Sequence, residues 1–210
     1  MVIRILCFGD SNTWGWIPGT AGKRFSEQIR FPKLLQTSLG NNYEIIEEGL
    51  NSRTLASKYR RPNKDSKNGN AHLIPCLHSH DPLDLVILML GTTELKEEFH
   101  NSPEDIGNLL DTYYAQVIPK TKSPEKGTYP KLLIVAPPII DEHLASPRYA
   151  GGTKKSKQLS RIYSKVAKKN KCLFLDVSQL QVGSDGIHMT KESHAKLAEM
   201  LTNIIKIMRF

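Results

Sequence analysis

No stretch of this chain is apolar for the roughly 20 residues that a membrane-spanning helix requires, and this argues against a helical span. Cysteine is scarce. Cys7, Cys76 and Cys172 are odd in number and widely separated, so they do not form a disulfide framework. Cys7 and Cys172 fall in predicted buried strands, and the expectation is free thiols in a reducing compartment. The amino terminus has no basic, then apolar, then small-residue pattern of a secretory leader, which makes the cytoplasm the expected location. Internal repeats and Pro/Gly/Ser-rich linkers are also lacking. With 210 residues, the chain is expected to be one domain over 1–210 with a sizeable core.

Acidic residues are outnumbered, and the formal net charge is +8. Such a balance invites a nucleic-acid reading, but the basic residues are dispersed apart from one dense zone, Lys154 to Lys171. That zone overlaps a predicted helix and lacks interleaved aromatics on which bases would stack. A solvated helix face is expected, with no nucleic-acid partner. Long-range attraction of anionic substrates or surfaces stays open.

The apolar runs alternate in type along the chain. Val2 to Phe8 reads as a buried strand, Phe31 to Leu39 as a helix stopped by Gly40-Asn41-Asn42, and Tyr43 to Glu47 as a short strand. Leu83 to Leu90 is the most apolar run and suits a central parallel strand. Ser102-Pro103-Glu104-Asp105 opens a helix reaching about Ile118, with a serine cap, proline at the first position and acids in the first turn. Lys131 to Ala136 and Cys172 to Val177 are further strands, and Lys191 to Ile207 is a terminal helix. Strands alternating with helices predict an α/β fold with a parallel sheet and right-handed crossovers.

Trp14 to Phe31 reads as a long loop. Its Gly22-Lys23 is not a phosphate loop, because Ile17 stands where the earlier glycine belongs and Arg24 where Ser or Thr should follow. Ser57 to His80 is polar and is expected to be a long loop walling a site. Its tail, Cys76-Leu77-His78-Ser79-His80, alternates metal-ligating residue types, yet further ligands at zinc spacing are not evident. Loop packing, with no metal or other cofactor, is the expectation.

Two stretches carry chemistry. Gly9-Asp10-Ser11-Asn12-Thr13 follows the first strand in helix-starting vocabulary. Ser11 would thus sit at a strand-to-helix turn, where free N–H groups favour negative charge. Alone, this fits an N-cap serine as well as a nucleophile. Asp185-Gly186-Ile187-His188 lies just before the last helix. A carboxylate three residues before a histidine can hold the imidazole tautomer while the other ring nitrogen takes a serine proton. Every candidate group follows a predicted strand: Ser11 the first, Ser52 the second, Thr93 the third, Asp185 and His188 the fifth. Ligands of open α/β sheets bind at that edge, and the pattern favours acyl transfer through serine.

Together, the early Gly-Asp-Ser block and the late Asp-x-x-His block resemble the SGNH (GDSL-like) hydrolase family. The extended Gly9-Asp10-Ser11-Asn12-Thr13-Trp14-Gly15-Trp16 is similar to its arylesterase and acyltransferase branch. The resemblance implies a flavodoxin-like, three-layer α/β sandwich around five parallel strands. It implies Ser11, Asp185 and His188 as the catalytic triad, and N–H groups of Ser11 and Ser52 as oxyanion donors. Ser52 stands where the family has glycine. Thr93 stands where the family places an asparagine donor, and Glu94 replaces aspartate, so a shorter, rotatable hydroxyl takes over from a carboxamide.

The expected activity is hydrolysis of short, acetyl-like carboxylic esters through an acyl-enzyme, with transfer to alcohols as a second outcome. Trp14 and Trp16 are expected to wall a narrow acyl pocket, and the partner is a small-molecule ester. The competing reading is a degenerate member that binds a carbohydrate or ester with little turnover, motivated by Thr93. Homo-oligomers occur in that branch, and no stretch of this sequence proves one.

Overall fold

The structure is a computed structural model, and it describes residues 2–60 and 67–210. Five parallel strands form one sheet: β1 (Ile3–Gly9), β2 (Tyr43–Gly49), β3 (Leu85–Met89), β4 (Lys131–Ala136) and β5 (Leu173–Asp176). Their order across the sheet is β2-β1-β3-β4-β5. The central strands are apolar on both faces because both are covered. Along β1, Leu6 and Phe8 enter one core while Ile5 and Cys7 enter the other; Val86 and Leu88 alternate with Leu85, Ile87 and Met89 in the same way.

Helices supply the outer layers. α2 (Phe31–Leu39) and α6 (Lys191–Ile207) pack together on the Ile5 face, burying Phe31, Leu35, Leu197 and Leu201. The opposite face carries α3 (Gly69–Ser79), α4 (Pro103–Leu110) and α5 (Gly152–Asn170), with Leu73, Ile106, Leu159 and Tyr163 in its core. α5 buries only its Ser156, Leu159, Tyr163, Val166 and Ala167 side; Lys154, Lys157, Lys165 and Lys168 are exposed. Among the described residues, no helix is long and apolar enough to cross a membrane.

Two elements differ from the sequence expectation. Residues 69–79, read as part of a long loop, are helical, with Asn68 capping the end by accepting from Ala71 N. Pro75 lies inside this helix and Gly69 starts it, two residues that argue against a helix interior. Burial of Leu73, Cys76 and Leu77 on one face outweighs that local preference. The rest of that stretch, Arg61 to Ser66, lies outside the described residues. α4 stops at Leu110, and the predicted remainder continues as a π-helical turn, Asp111–Ala115. Its start follows the expectation: Ser102 accepts from Asp105 N, and Asp105 accepts from Ser102 N.

The order β2-β1-β3-β4 places a reversal of topology between β1 and β3: the connection leaving β1 runs to β2 on one side, and that leaving β3 runs to β4 on the other. Open α/β sheets bind ligands at this crevice, outside the carboxyl ends of the strands.

Candidate active site

Gly9 ends β1 without a side chain because none fits: a Cβ there would lie 2.7 Å from the Met89 carbonyl oxygen and press on Thr13. The chain therefore turns tightly into the one-turn helix α1 (Ser11–Trp14), with the Asp10 carboxylate accepting from Asn12 N at 2.9 Å. Burial pushes the Asp10 carboxyl up to about 6, against the pull of the Asn12 N–H and of nearby His188, Arg53 and Lys96. Ser11 is thereby fixed at the first position of α1, where its N–H has no helical partner.

Asn12 then reaches across the molecule. Its Oδ1 accepts from Met189 N at 2.8 Å and its Nδ2 donates to Ile187 O at 3.4 Å. The carboxyl-terminal segment is clasped on both sides of His188, whose Nε2 lies 2.8 Å from Ser11 Oγ. His188 Nδ1 lies 2.7 Å from Asp185 Oδ2. An ionised carboxylate only accepts, so Nδ1 carries the proton and Nε2 turns its lone pair to the serine hydroxyl. Asp185 Oδ1 also accepts from the main-chain N–H groups of Ile187 and His188, which is why the two residues sit three apart on one turn. Burial raises the Asp185 carboxyl, but the His188 ring and these two N–H groups outweigh it, holding the group well below the usual carboxylate range.

The other predicted residues gather at the same opening. Ser11, Ser52, Thr93, His188 and Trp16 line one cavity of about 290 Å³. Among the described residues, no carbonyl accepts from the N–H of Ser52, which stands in the left-handed region at φ 63°. Thr93 begins a short 3₁₀ turn after β3, and the Glu94 side chain is fully buried behind it. Glu94 Oε1 accepts from Leu55 N at 2.6 Å and from the N–H groups of Ala56 and Ser57 at 3.4 Å, anchoring the segment that follows Ser52.

The two tryptophans separate. Gly15, at φ 92°, reverses the chain so that Trp16 N returns to Ser11 O at 3.0 Å. Trp16 consequently stacks on the His188 ring, centroids 5.2 Å apart and planes 19° apart. Trp14 is not among the residues lining the cavity, whereas Trp16 is. It packs against Trp16 and lies under the Arg24 guanidinium, because its backbone is pressed on Gly49. Sequence reasoning missed Lys96, Arg148 and Tyr149, which also line the cavity. Lys96 Nζ donates to Tyr59 Oη at 2.8 Å, and Arg148 pairs with Glu98 at 2.6 Å. Lys96 was within reach of inspection, three residues beyond Thr93; Arg148 and Tyr149 come from a loop with no comparable signal.

The sequence pattern of the GDSL-like Lipase/Acylhydrolase family matches residues 7–196. The chain belongs to that family. Two solved structures of like architecture are each 36% identical to it with a TM-score of 0.88. One, the M. smegmatis aryl esterase, is covered over 99% of its length by 98% of this chain. The other, the carbohydrate acetylesterase Est24 from Sinorhizobium meliloti, is covered over 98% by 97% of this chain. An acetylxylan esterase from Xylanibacter ruminicola is 26% identical over 97% of this chain, which spans only 43% of that relative's length. Within the family pattern, Ser52 holds the left-handed backbone that glycine would adopt freely.

Proposed function

We propose that this chain is a serine carboxylic-ester hydrolase selective for short acyl groups, with Ser11 as nucleophile. The observation that carries the proposal is the continuous contact Asp185–His188–Ser11, at 2.7 and 2.8 Å, opening into a cavity of only about 290 Å³. In this reading His188 Nε2 takes the Ser11 proton as Oγ attacks the ester carbonyl. The tetrahedral oxyanion is met by the N–H groups of Ser11 and Ser52. His188 then protonates the leaving alcohol, and water releases the acyl group by the same route in reverse. A second alcohol in place of water gives acyl transfer.

Ser52, Thr93, Lys96 and Arg148 line the cavity together with the apolar Trp16, Tyr149 and Ile187, so it is its small size that limits the acyl chain. A cavity at the lower end of ligand-sized pockets suits an acetyl group. The name of one relative, carbohydrate acetylesterase, supports the same acyl size, while aryl esterase speaks only to the leaving group. A degenerate binder is disfavoured by the intact Ser11–His188–Asp185 contact. The test joins two measurements. A fluorophosphonate should add once to the protein, as read by intact mass, and not at all to Ser11→Ala. With nitrophenyl esters, kcat/KM should be highest for acetyl and fall with acyl length. Equal labelling of Ser11→Ala overturns the nucleophile, and an octanoyl ester hydrolysed better than acetyl overturns the pocket argument.

A further inference from the structure

The face of α3 turned towards β2 carries His72 and Cys76, one helical turn apart, and His80 caps the helix a turn later. Residues at i, i+4 and i+8 share a stripe, whereas His78 points elsewhere and is exposed. Opposite the stripe stands Glu48 of β2. Strand alternation separates it from Glu47, which turns the other way to pair with Arg24 and Arg30. The Glu48 carboxylate, a ring nitrogen of His72 and the Cys76 thiol all lie within 4.8 Å of one another.

We propose that Glu48, His72 and Cys76 form a binding site for a divalent transition metal, zinc fitting best, which ties α3 to the end of β2. Thiolate, imidazole and carboxylate are the donor set zinc takes in proteins. With metal–ligand distances of about 2.0–2.3 Å, tetrahedral geometry puts neighbouring ligand atoms about 3.3–3.6 Å apart. His72 Nε2 already lies 3.4 Å from Glu48 Oε2, and the outer limit of 4.8 Å leaves about one ångström of closure. Three protein ligands leave a fourth position for water on the side of His72, whose side chain is 44% exposed.

The carboxylate is held for this task from outside. His80 Nε2 lies 3.1 Å from Glu48 Oε1, and Arg53 Nη2 lies 3.4 Å from Oε2. A carboxylate oxygen has lone pairs for a metal and a donor together. Partners of this kind orient ligands and tune affinity. Arg53 also donates to the Gly9 carbonyl at 3.1 Å and follows Ser52 directly, so the bound metal would brace the turn behind the cavity. Cys76 is a free cysteine of the core on this face of the sheet, its thiol turned to the Glu48 carboxylate and the His72 ring. On binding, the thiol gives up its proton to solvent as the sulfur–metal bond forms. The proposal does not depend on the hydrolase reading, since none of these residues lines the ester cavity.

The experiment is titration of chelator-treated protein with Co²⁺ and then Zn²⁺. One equivalent of Co²⁺ should give a thiolate-to-cobalt charge-transfer band, displaced by Zn²⁺, and one equivalent of Zn²⁺ should raise the melting temperature. Cys76→Ser should abolish the band. His72→Gln alters a half-exposed ring and keeps the fold; it should weaken binding at least as much as His80→Ala, for which about 10–100-fold is expected. His78→Ala should bind like the wild type. No stoichiometric binding, a band that survives Cys76→Ser, or equal affinity in His72→Gln overturns the site.

Discussion

Replacing Glu94 with glutamine should flatten the dependence of stability on pH. Glu94 is fully buried, and burial pushes its carboxyl up from 4.5 to about 8 against three N–H groups that favour the charged form. Its Oε2 has no hydrogen-bond partner among the described residues. Because the folded value lies above the unfolded one, the folded protein holds a proton that the unfolded chain releases. The contribution is fully present below about 4.5 and is lost as pH rises through about 8. Each pH unit within that window is worth up to about 1.4 kcal/mol, so the full effect is on the order of a few kcal/mol. Glutamine keeps an acceptor for Leu55 N and carries no charge at any pH. Urea unfolding at pH 5 and pH 9 should give the variant nearly wild-type stability at the lower pH. At the higher pH its midpoint should exceed the wild type's by about 1 M or more, given ordinary m-values. Asp10, raised to about 6, adds a smaller slope of the same sign that survives in the variant. Parallel stability curves for the two proteins would refute the reasoning.

Thr93→Asn should raise kcat on a short ester, recovering part of the roughly 10²–10³ that one oxyanion donor is worth, while Thr93→Val should leave it unchanged. A tenfold loss in the valine variant would show that the threonine hydroxyl already donates. Ser52→Gly should relieve a left-handed backbone, worth about 1 kcal/mol in the folded state and partly offset by glycine's freedom when unfolded, with kcat retained. Thermal unfolding and ester kinetics on that variant check both halves, and a large fall in kcat would mean that the Ser52 side chain itself contributes.

Much of this architecture is legible in the sequence because periodicity and punctuation agree. Lys191–Ile207 is helical over the predicted span, and Phe31 to Leu39 ends where Gly40 ends it. The Ser11, Asp185 and His188 meeting was readable because each follows a strand at the same sheet edge. What stayed hidden depends on partners far along the chain. α3 was obscured by Gly69 and Pro75, whose local preferences oppose a helix that tertiary burial imposes. With it went the stripe of His72, Cys76 and His80, whose spacing has meaning only once the segment is helical. That Trp16 and not Trp14 reaches the cavity follows from the positive φ of Gly15, which no local pattern in the sequence announces. Glu94 finds its acceptor role 39 residues upstream, at Leu55, a pairing that no local pattern announces.

The clasp that Asn12 makes on Ile187 and Met189 has a consequence in time. Ser11 and His188 are separated by 177 positions, and the segment bearing the histidine must be made before Asn12 can grip it. At ribosomal speeds of about 5–20 residues per second, roughly 9–35 s pass between the synthesis of Ser11 and that of His188. Throughout that interval the nascent chain carries an ordinary, unactivated hydroxyl. Closing so long a loop is also entropically demanding and is compensated only when β1, β3 and the terminal helix have docked. On the proposal that Ser11 is the nucleophile, reactivity switches on with the last stage of assembly, and a chain halted before residue 188 displays the serine without the histidine that would activate it.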